Sequence, residues 1–198
     1  MNTKINTILD RLASFGIIFL SFTLVFMLWF FATNQLNMTL FISNLFYLPF
    51  GVIVLSYVFF KRHVFITLLI AHGSCYQFLD YINLSNNFSS ISLNVDNIML
   101  IMLFCISTPI TIFLLKINNI EIGTNYNAKL NKFNIKHIYL LILLSSLVFG
   151  FLLLLLNLLH EISNYNLYYV IGNILGSIIL IEALKLIINF GSIIKKKY

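Results

Sequence analysis

The chain has 198 residues, of which 60% are hydrophobic and 9% are charged, and its formal net charge is +6. A soluble domain needs roughly a quarter charged residues to cover its surface, so this composition excludes a soluble globular protein. We also reject nucleic-acid binding as the reason for the positive charge, because no basic and aromatic patch lies outside the apolar stretches.

Six apolar stretches are long enough to cross a bilayer core of roughly 30 Å as helices of about 20 residues. Their continuous apolar character predicts helices and excludes a β-barrel, in which apolar and polar residues would alternate. We therefore predict an all-α polytopic membrane protein, a bundle of six transmembrane helices that forms one domain over residues 1–198. The predicted spans are residues 12–33, 39–60, 64–82, 98–116, 137–159 and 167–190.

The basic residues predict the orientation of these spans. All twelve Lys and Arg residues fall on one side of the six-span topology, and the polar hairpin at residues 83–97 on the other side carries none. Because positive charge marks cytoplasmic loops, both termini are predicted to be cytoplasmic. The abundance of Asn, Ile, Lys, Phe and Tyr is typical of an AT-rich bacterial genome, so we expect the bacterial inner membrane.

The second span contains Pro49 and Gly51 near its middle. Proline lacks an N–H group and disturbs the preceding turn, so this pair predicts a kink or a break that exposes backbone carbonyls. Asn44, about one turn earlier, either satisfies one of these carbonyls or faces a cavity. Pro109 predicts a second kink, in the fourth span, for which we favour a structural role.

The third span carries the best candidate for a ligand site. His72, Tyr76 and Asp80 follow one another at intervals of four residues, so they share one face of a helix. Gln77 lies beside them. Polar groups within a membrane are costly and need a partner or a function. Either this stripe lines a pocket that opens to the outside, or Asp80 caps the outer end of the bundle while His72 is hydrogen-bonded in the core.

The sixth span contains Gly172 and Gly176, four residues apart, which form a small-residue face that lets another helix approach closely. Asn173 can form a hydrogen bond across such a contact, either as part of the packing or to a ligand. Further along, Glu182 and Lys185 are three residues apart and are predicted to pair.

Catalysis, metal binding and cofactor binding have no support in the sequence. There is no hydrolytic triad, no phosphate-binding loop and no Cys/His spacing typical of a metal site. Cys75 and Cys105 lie within predicted spans, where thiols act as small apolar side chains more often than as a disulfide. We therefore predict no enzyme, no metal and no cofactor.

Two segments resemble a known family. Residues 47–52 (YLPFGV), continuing to the turn at Lys61 and Arg62, resemble the P-x-G segment and short turn of MASE1-type bacterial membrane sensor domains. Residues 169–176 (YVIGNILG) are similar to the G-D-x-x-G segment of that family, with Asn173 in place of the usual Asp. MASE1-type domains usually have eight spans and precede a signalling module. The resemblance implies an inner-membrane ligand-sensing bundle, here without its own output domain.

The predicted architecture also resembles the substrate-binding components of energy-coupling-factor vitamin transporters, which implies ligand capture from outside and partner subunits. Three functions therefore stay open: a ligand-binding or sensing bundle, a substrate-binding or accessory subunit of a transporter, and a structural subunit that packs through its small-residue faces. The expected partners are the lipid bilayer, an unknown small ligand and a membrane or cytoplasmic protein.

Overall fold

The structure, a computed structural model, is all-helical in the part of the chain that it describes, so the predicted all-α bundle is confirmed. The described residues are 2–35, 47–60, 63–86, 95–118, 135–160 and 167–195, with side chains for 9–33, 47–60, 63–81, 98–118, 136–158 and 168–187. The helices in these residues are α1 (Asn2–Gln35), α2 (Pro49–Phe59), α3 (Val64–Asn86), α4 (Val95–Ile117), α5 (Ile135–His160) and α6 (Leu167–Lys195).

Every helix except α2 contains its predicted span and extends beyond it. The predicted polar hairpin at residues 83–97 is accordingly shorter, because α3 continues to Asn86 and α4 begins at Val95. Hydropathy marks only the apolar part of a helix, whereas backbone hydrogen bonding continues through polar flanking residues.

Four described helices are long and apolar enough to cross a membrane, and the chain is a membrane protein. The corresponding stretches are Leu9–Thr33, Ile98–Ile117, Lys136–Leu158 and Tyr168–Ile187. Helix α3, with a polar second half, is not among them. Helix α2 has 11 residues, which corresponds to about 16 Å, or half of a bilayer core. Six complete spans and their orientation therefore stay predictions.

The short helix α2 is the centre of the bundle. It packs against each of the other five helices, which contact one another in the order α1, α3, α4, α5, α6. A helix surrounded in this way needs apolar residues on every side. Within α2, Phe50, Ile53 and Val54 are completely buried, and only Phe59 at its end is exposed.

Helix α2 begins at Pro49, inside the bundle. Proline is favoured in the first turn of a helix, where its missing N–H has no intrahelical partner to lose. The N–H groups of Phe50 and Gly51 donate to the carbonyls of Tyr47 and Leu48 at 3.3 and 3.1 Å, and Tyr47 itself is not helical. The sequence predicts either a kink or a break at this point. In the described residues, a helix begins at Pro49.

Glycines allow the backbone of α6 to touch α2 and the residues before it. A Cβ added to Gly51 would lie 2.9 Å from the side chain of Leu180, and one added to Gly176 would lie 2.5 Å from the carbonyl carbon of Tyr47. Since real Cβ atoms do not approach backbone this closely, a larger residue at Gly176 would force the segments apart. The predicted small-residue face of α6 is thus occupied within the chain.

A side chain of α2 accommodates the proline inside α4. Pro109 lies within α4, which is helical from Val95 to Ile117. Proline cannot donate to the carbonyl four residues earlier, which belongs to Cys105. The hydroxyl of Tyr57 donates to that carbonyl at 2.8 Å. Neighbouring side chains that satisfy freed carbonyls are the reason that membrane helices tolerate proline.

We expect Gly176→Ala to lower the free energy of unfolding by about 1–3 kcal/mol, because the added methyl group overpacks the contact with Tyr47. Thermal unfolding in detergent, followed by the fluorescence of Trp29, the only tryptophan, measures this loss. Gly16→Ala is the matched control, since nothing lies within 4 Å of a Cβ at Gly16. Equal losses in both variants would contradict the close-contact assignment.

We expect Tyr57→Phe to cost about 1–3 kcal/mol of stability, because it leaves the carbonyl of Cys105 without a donor. Pro109→Ala restores an N–H group that can donate to the same carbonyl. The loss should therefore be smaller in the Pro109→Ala background, as a double-mutant cycle of unfolding free energies would show. An equal loss in both backgrounds would mean that Tyr57 does not compensate for the proline.

Candidate ligand-binding site

His72 lies at the centre of the bundle and is completely buried. Its Nε2 atom is 3.0 Å from the hydroxyl oxygen of Tyr47. Four rings surround its imidazole at centroid distances of 4.9–5.9 Å: Phe22, Phe26, Tyr76 and Phe104. These rings come from α1, α3 and α4, so the imidazole joins three helices in one aromatic cluster.

One hydrogen-bonding position of His72 is unused within the described residues. Its Nδ1 atom has no partner there. A charged imidazole in such apolar surroundings would need a counter-charge, so the neutral form fits this position. Neutral imidazole has one donor and one acceptor nitrogen. Whether Tyr47 donates to Nε2 or accepts from it, Nδ1 keeps one unmet hydrogen-bonding capacity.

Tyr47 connects α3 to α6. Its hydroxyl contacts His72, while its backbone N–H donates to the carbonyl of Gly172 at 3.2 Å. The Tyr47 ring also lies 5.0 Å from Trp29 and 4.9 Å from Phe104. The residue is buried. These contacts hold both its backbone and its side chain in place. Tyr47 was not among the predicted site residues.

The predicted stripe on α3 does not form a single pocket. Tyr76 is partly buried against His72 and Phe26, whereas Gln77 is exposed and Asp80 is partly exposed. Two helical turns separate His72 from Asp80, about 12 Å along the axis. The structure therefore brings together His72 and Tyr76 but neither Gln77 nor Asp80. Asn44 lies outside the described residues.

A second group of buried polar side chains, which we name the polar layer, lies on α4, α5 and α6. All of its members are 0% exposed, and neither their hydroxyl oxygens nor the two amide atoms of Asn173 have a hydrogen-bond partner among the described residues. The members are Thr108, Ser145, Ser146, Asn173 and Ser177. Asn173 was predicted as a site residue, and the four hydroxyl residues were not.

Two contacts set the register of α5 against α6. Gly150 lies against Val170, and the hydroxyl of Tyr139 donates to Glu182. Residue numbers rise along one helix as they fall along the other, so the two helices are antiparallel. The α5 and α6 members of the polar layer lie between these contacts at one depth: Ser145, Ser146, Asn173 and Ser177.

Contacts made by α4 and α2 show which residues border the rest of the polar layer. The ring of Phe104 stacks on that of Phe149 at 4.3 Å. Thr108 is one turn from Phe104 and Ser145 is one turn from Phe149, about 6 Å in each case. The Phe50 ring of α2 lies 6.1 and 6.4 Å from the same two rings. The first turn of α2 thus lies beside both the aromatic cluster and the polar layer.

Two other buried hydroxyl groups of α4 are paired with their own helix. Ser107 donates to the carbonyl of Phe104 at 3.1 Å, and Thr111 donates to that of Ser107 at 2.9 Å. This is the usual arrangement for Ser and Thr inside helices. An unpaired buried polar group costs about 1–3 kcal/mol. The polar layer therefore concentrates groups that are free to bind a polar molecule.

The charged side chains of the described residues lie away from this centre. Glu182 and Lys185 form the predicted pair at 2.9 Å, with side chains 49% and 40% exposed. No group of three His, Cys, Asp or Glu side chains that could hold a metal ion occurs in the described part of the chain. Cys75 and Cys105 are buried free thiols. The candidate site thus consists of neutral polar groups and aromatic rings.

No protein-family model, curated protein or solved structure matches this chain. The resemblance to MASE1-type sensor domains stays a prediction. The functional interpretation therefore rests on the geometry of Tyr47, His72 and the polar layer.

We expect Tyr47→Phe and His72→Phe each to lower the free energy of unfolding by about 1–3 kcal/mol, because each leaves the other polar group buried without its partner. The double variant replaces both groups with apolar rings and should cost less than the sum of the single changes. Unfolding of the four proteins in detergent gives the coupling energy of the pair. Strict additivity would contradict a hydrogen bond between the two side chains.

Proposed function

We propose that this chain is a ligand-binding bundle of the bacterial inner membrane, which binds a small molecule at its centre and communicates the binding to a partner protein. The observation that carries the proposal is Asn173, whose side chain is completely buried and whose two amide atoms have no partner among the described residues. Retaining such an amide inside a membrane protein is unfavourable unless another molecule completes its hydrogen bonds.

The surroundings of Asn173 support a sensing role. Its neighbour Gly172 accepts the backbone hydrogen bond of Tyr47, and Tyr47 contacts His72. A ligand at Asn173 therefore acts next to the point where α2 begins, and α2 touches all the other helices. A ligand that binds one arrangement of this contact better than another shifts the population of the whole bundle.

The charge distribution supports a cytoplasmic partner. All Lys and Arg residues lie on the predicted cytoplasmic side. Among the described side chains, Arg11, Lys116 and Lys136 are exposed. These residues provide a charged surface at the membrane boundary, where an output protein or anionic lipid can bind.

A transporter subunit is the second candidate, and the start of α2 favours it. Helices that begin or break inside the membrane often form the substrate sites of transporters. The structural-subunit hypothesis receives less support, because Gly51 and Gly176 contact residues of the same chain. Those small-residue contacts are not available to another protein.

We expect the full chain, purified from its native host in mild detergent, to retain a small molecule that mass spectrometry detects after solvent extraction. Asn173→Ala should lose that molecule. Asn118→Ala should keep it, since Asn118 is exposed and its side chain donates to the carbonyl of Leu114 on its own helix. Co-purified proteins then distinguish sensing from transport by their identity.

Two results would contradict the proposal. One is a wild-type chain without any bound molecule, and the other is a molecule that Asn173→Ala retains as well as the wild type does. Co-purification of an ATPase and a membrane-spanning partner would favour the transporter subunit, whereas a signalling protein would favour sensing.

A further inference from the structure

The composition of the polar layer narrows the class of ligand, on the premise that the proposed binding function is correct. We infer that the polar layer of α4, α5 and α6 binds a small uncharged molecule that both donates and accepts hydrogen bonds, of the class of a polyol or a carboxamide.

Donors and acceptors are mixed in the polar layer. Each of its four hydroxyl groups can donate one hydrogen bond and accept others, and the amide of Asn173 has two donor hydrogens and one acceptor oxygen. None of these groups has a partner among the described residues. A cation would satisfy only the oxygen atoms, and an anion only the hydrogen atoms. A molecule with hydroxyl or amide groups pairs with both.

No full charge accompanies the polar layer within the described side chains. The Asp, Glu, Lys and Arg side chains of that part are all partly or fully exposed. Glu182, the acidic residue closest to Ser177 along α6, is held by Lys185 and Tyr139. Moving a charged ligand from water to a site without a counter-charge is strongly unfavourable. The layer therefore favours an uncharged ligand.

The neighbouring side chains limit the size of the ligand. Asn173 and Ser177 are one helical turn apart, about 6 Å. The stacked rings of Phe104 and Phe149 lie one turn from the hydroxyls of Thr108 and Ser145. These rings provide an apolar wall on that side, so the unpaired groups of the polar layer favour a ligand of only a few heavy atoms.

The test uses the full chain in detergent and three probes: glycerol, acetamide and sodium chloride. Thermal unfolding is followed by the fluorescence of Trp29, whose ring contacts Tyr47. We expect glycerol or acetamide to raise the Tm in proportion to the logarithm of its concentration once that concentration exceeds Kd, because a ligand that binds only the folded state stabilises it by RT ln(1 + [L]/Kd). Asn173→Leu and Ser146→Ala should abolish this logarithmic rise or shift it to about ten-fold higher concentrations.

Ser107→Ala is the matched control, because that buried hydroxyl already bonds to its own helix; it should keep the wild-type response. A rise that grows linearly with concentration and is equal in all variants reflects exclusion of the solute from the protein surface and would overturn the inference. A logarithmic rise of the Tm with sodium chloride alone would overturn the uncharged class while leaving the proposed binding function in place. A response unaffected by both Asn173→Leu and Ser146→Ala, or no logarithmic response to any probe, would overturn the assignment to this layer.

Discussion

The bundle depends on a backbone contact between α6 and the residues just before α2. Gly176 leaves room for the peptide between Tyr47 and Leu48, and the carbonyl of Gly172 accepts the N–H of Tyr47. Because this contact fixes where α2 starts, it also fixes which side chains of α2 meet the other five helices. The aromatic cluster around His72 and the polar layer lie on either side of that first turn, so both take their positions from it.

Polar groups inside this membrane protein follow two different patterns. Some are paired and stabilise the bundle, as the hydroxyl of Tyr57 does when it bonds to the carbonyl that Pro109 leaves without a donor. The groups of the polar layer are unpaired among the described residues, and this lowers stability. Alanine in place of Ser145 or Ser146 would avoid that loss and favour the helix. A ligand that forms hydrogen bonds with these groups stabilises the protein. The same groups lower the stability of the unliganded protein, which is a common conflict between binding sites and stability.

The candidate site could be predicted from the sequence only in part. His72 and Asn173 stand out because each is a strongly polar residue in an apolar stretch. Gln77 has the same property but is exposed, since spacing along a helix shows which residues share a face and not which face is buried. Ser145 and Thr108 could not be distinguished from other hydroxyl residues, because Ser and Thr usually bond to their own helix. Tyr47 became identifiable only through its contacts with α3 and α6.

The sequence by itself determined that this is an all-helical membrane protein and where five of its helices lie, because long apolar stretches can satisfy their backbone groups in lipid only as helices. It also predicted a change of backbone structure at Pro49, where α2 begins, because proline has no N–H to donate. Only the tertiary structure decided that α2 is short and central, that Gly176 faces Tyr47 and that four polar residues of α5 and α6 share one depth. Those features depend on how helices pack against one another, and packing is set by contacts between residues distant in the chain.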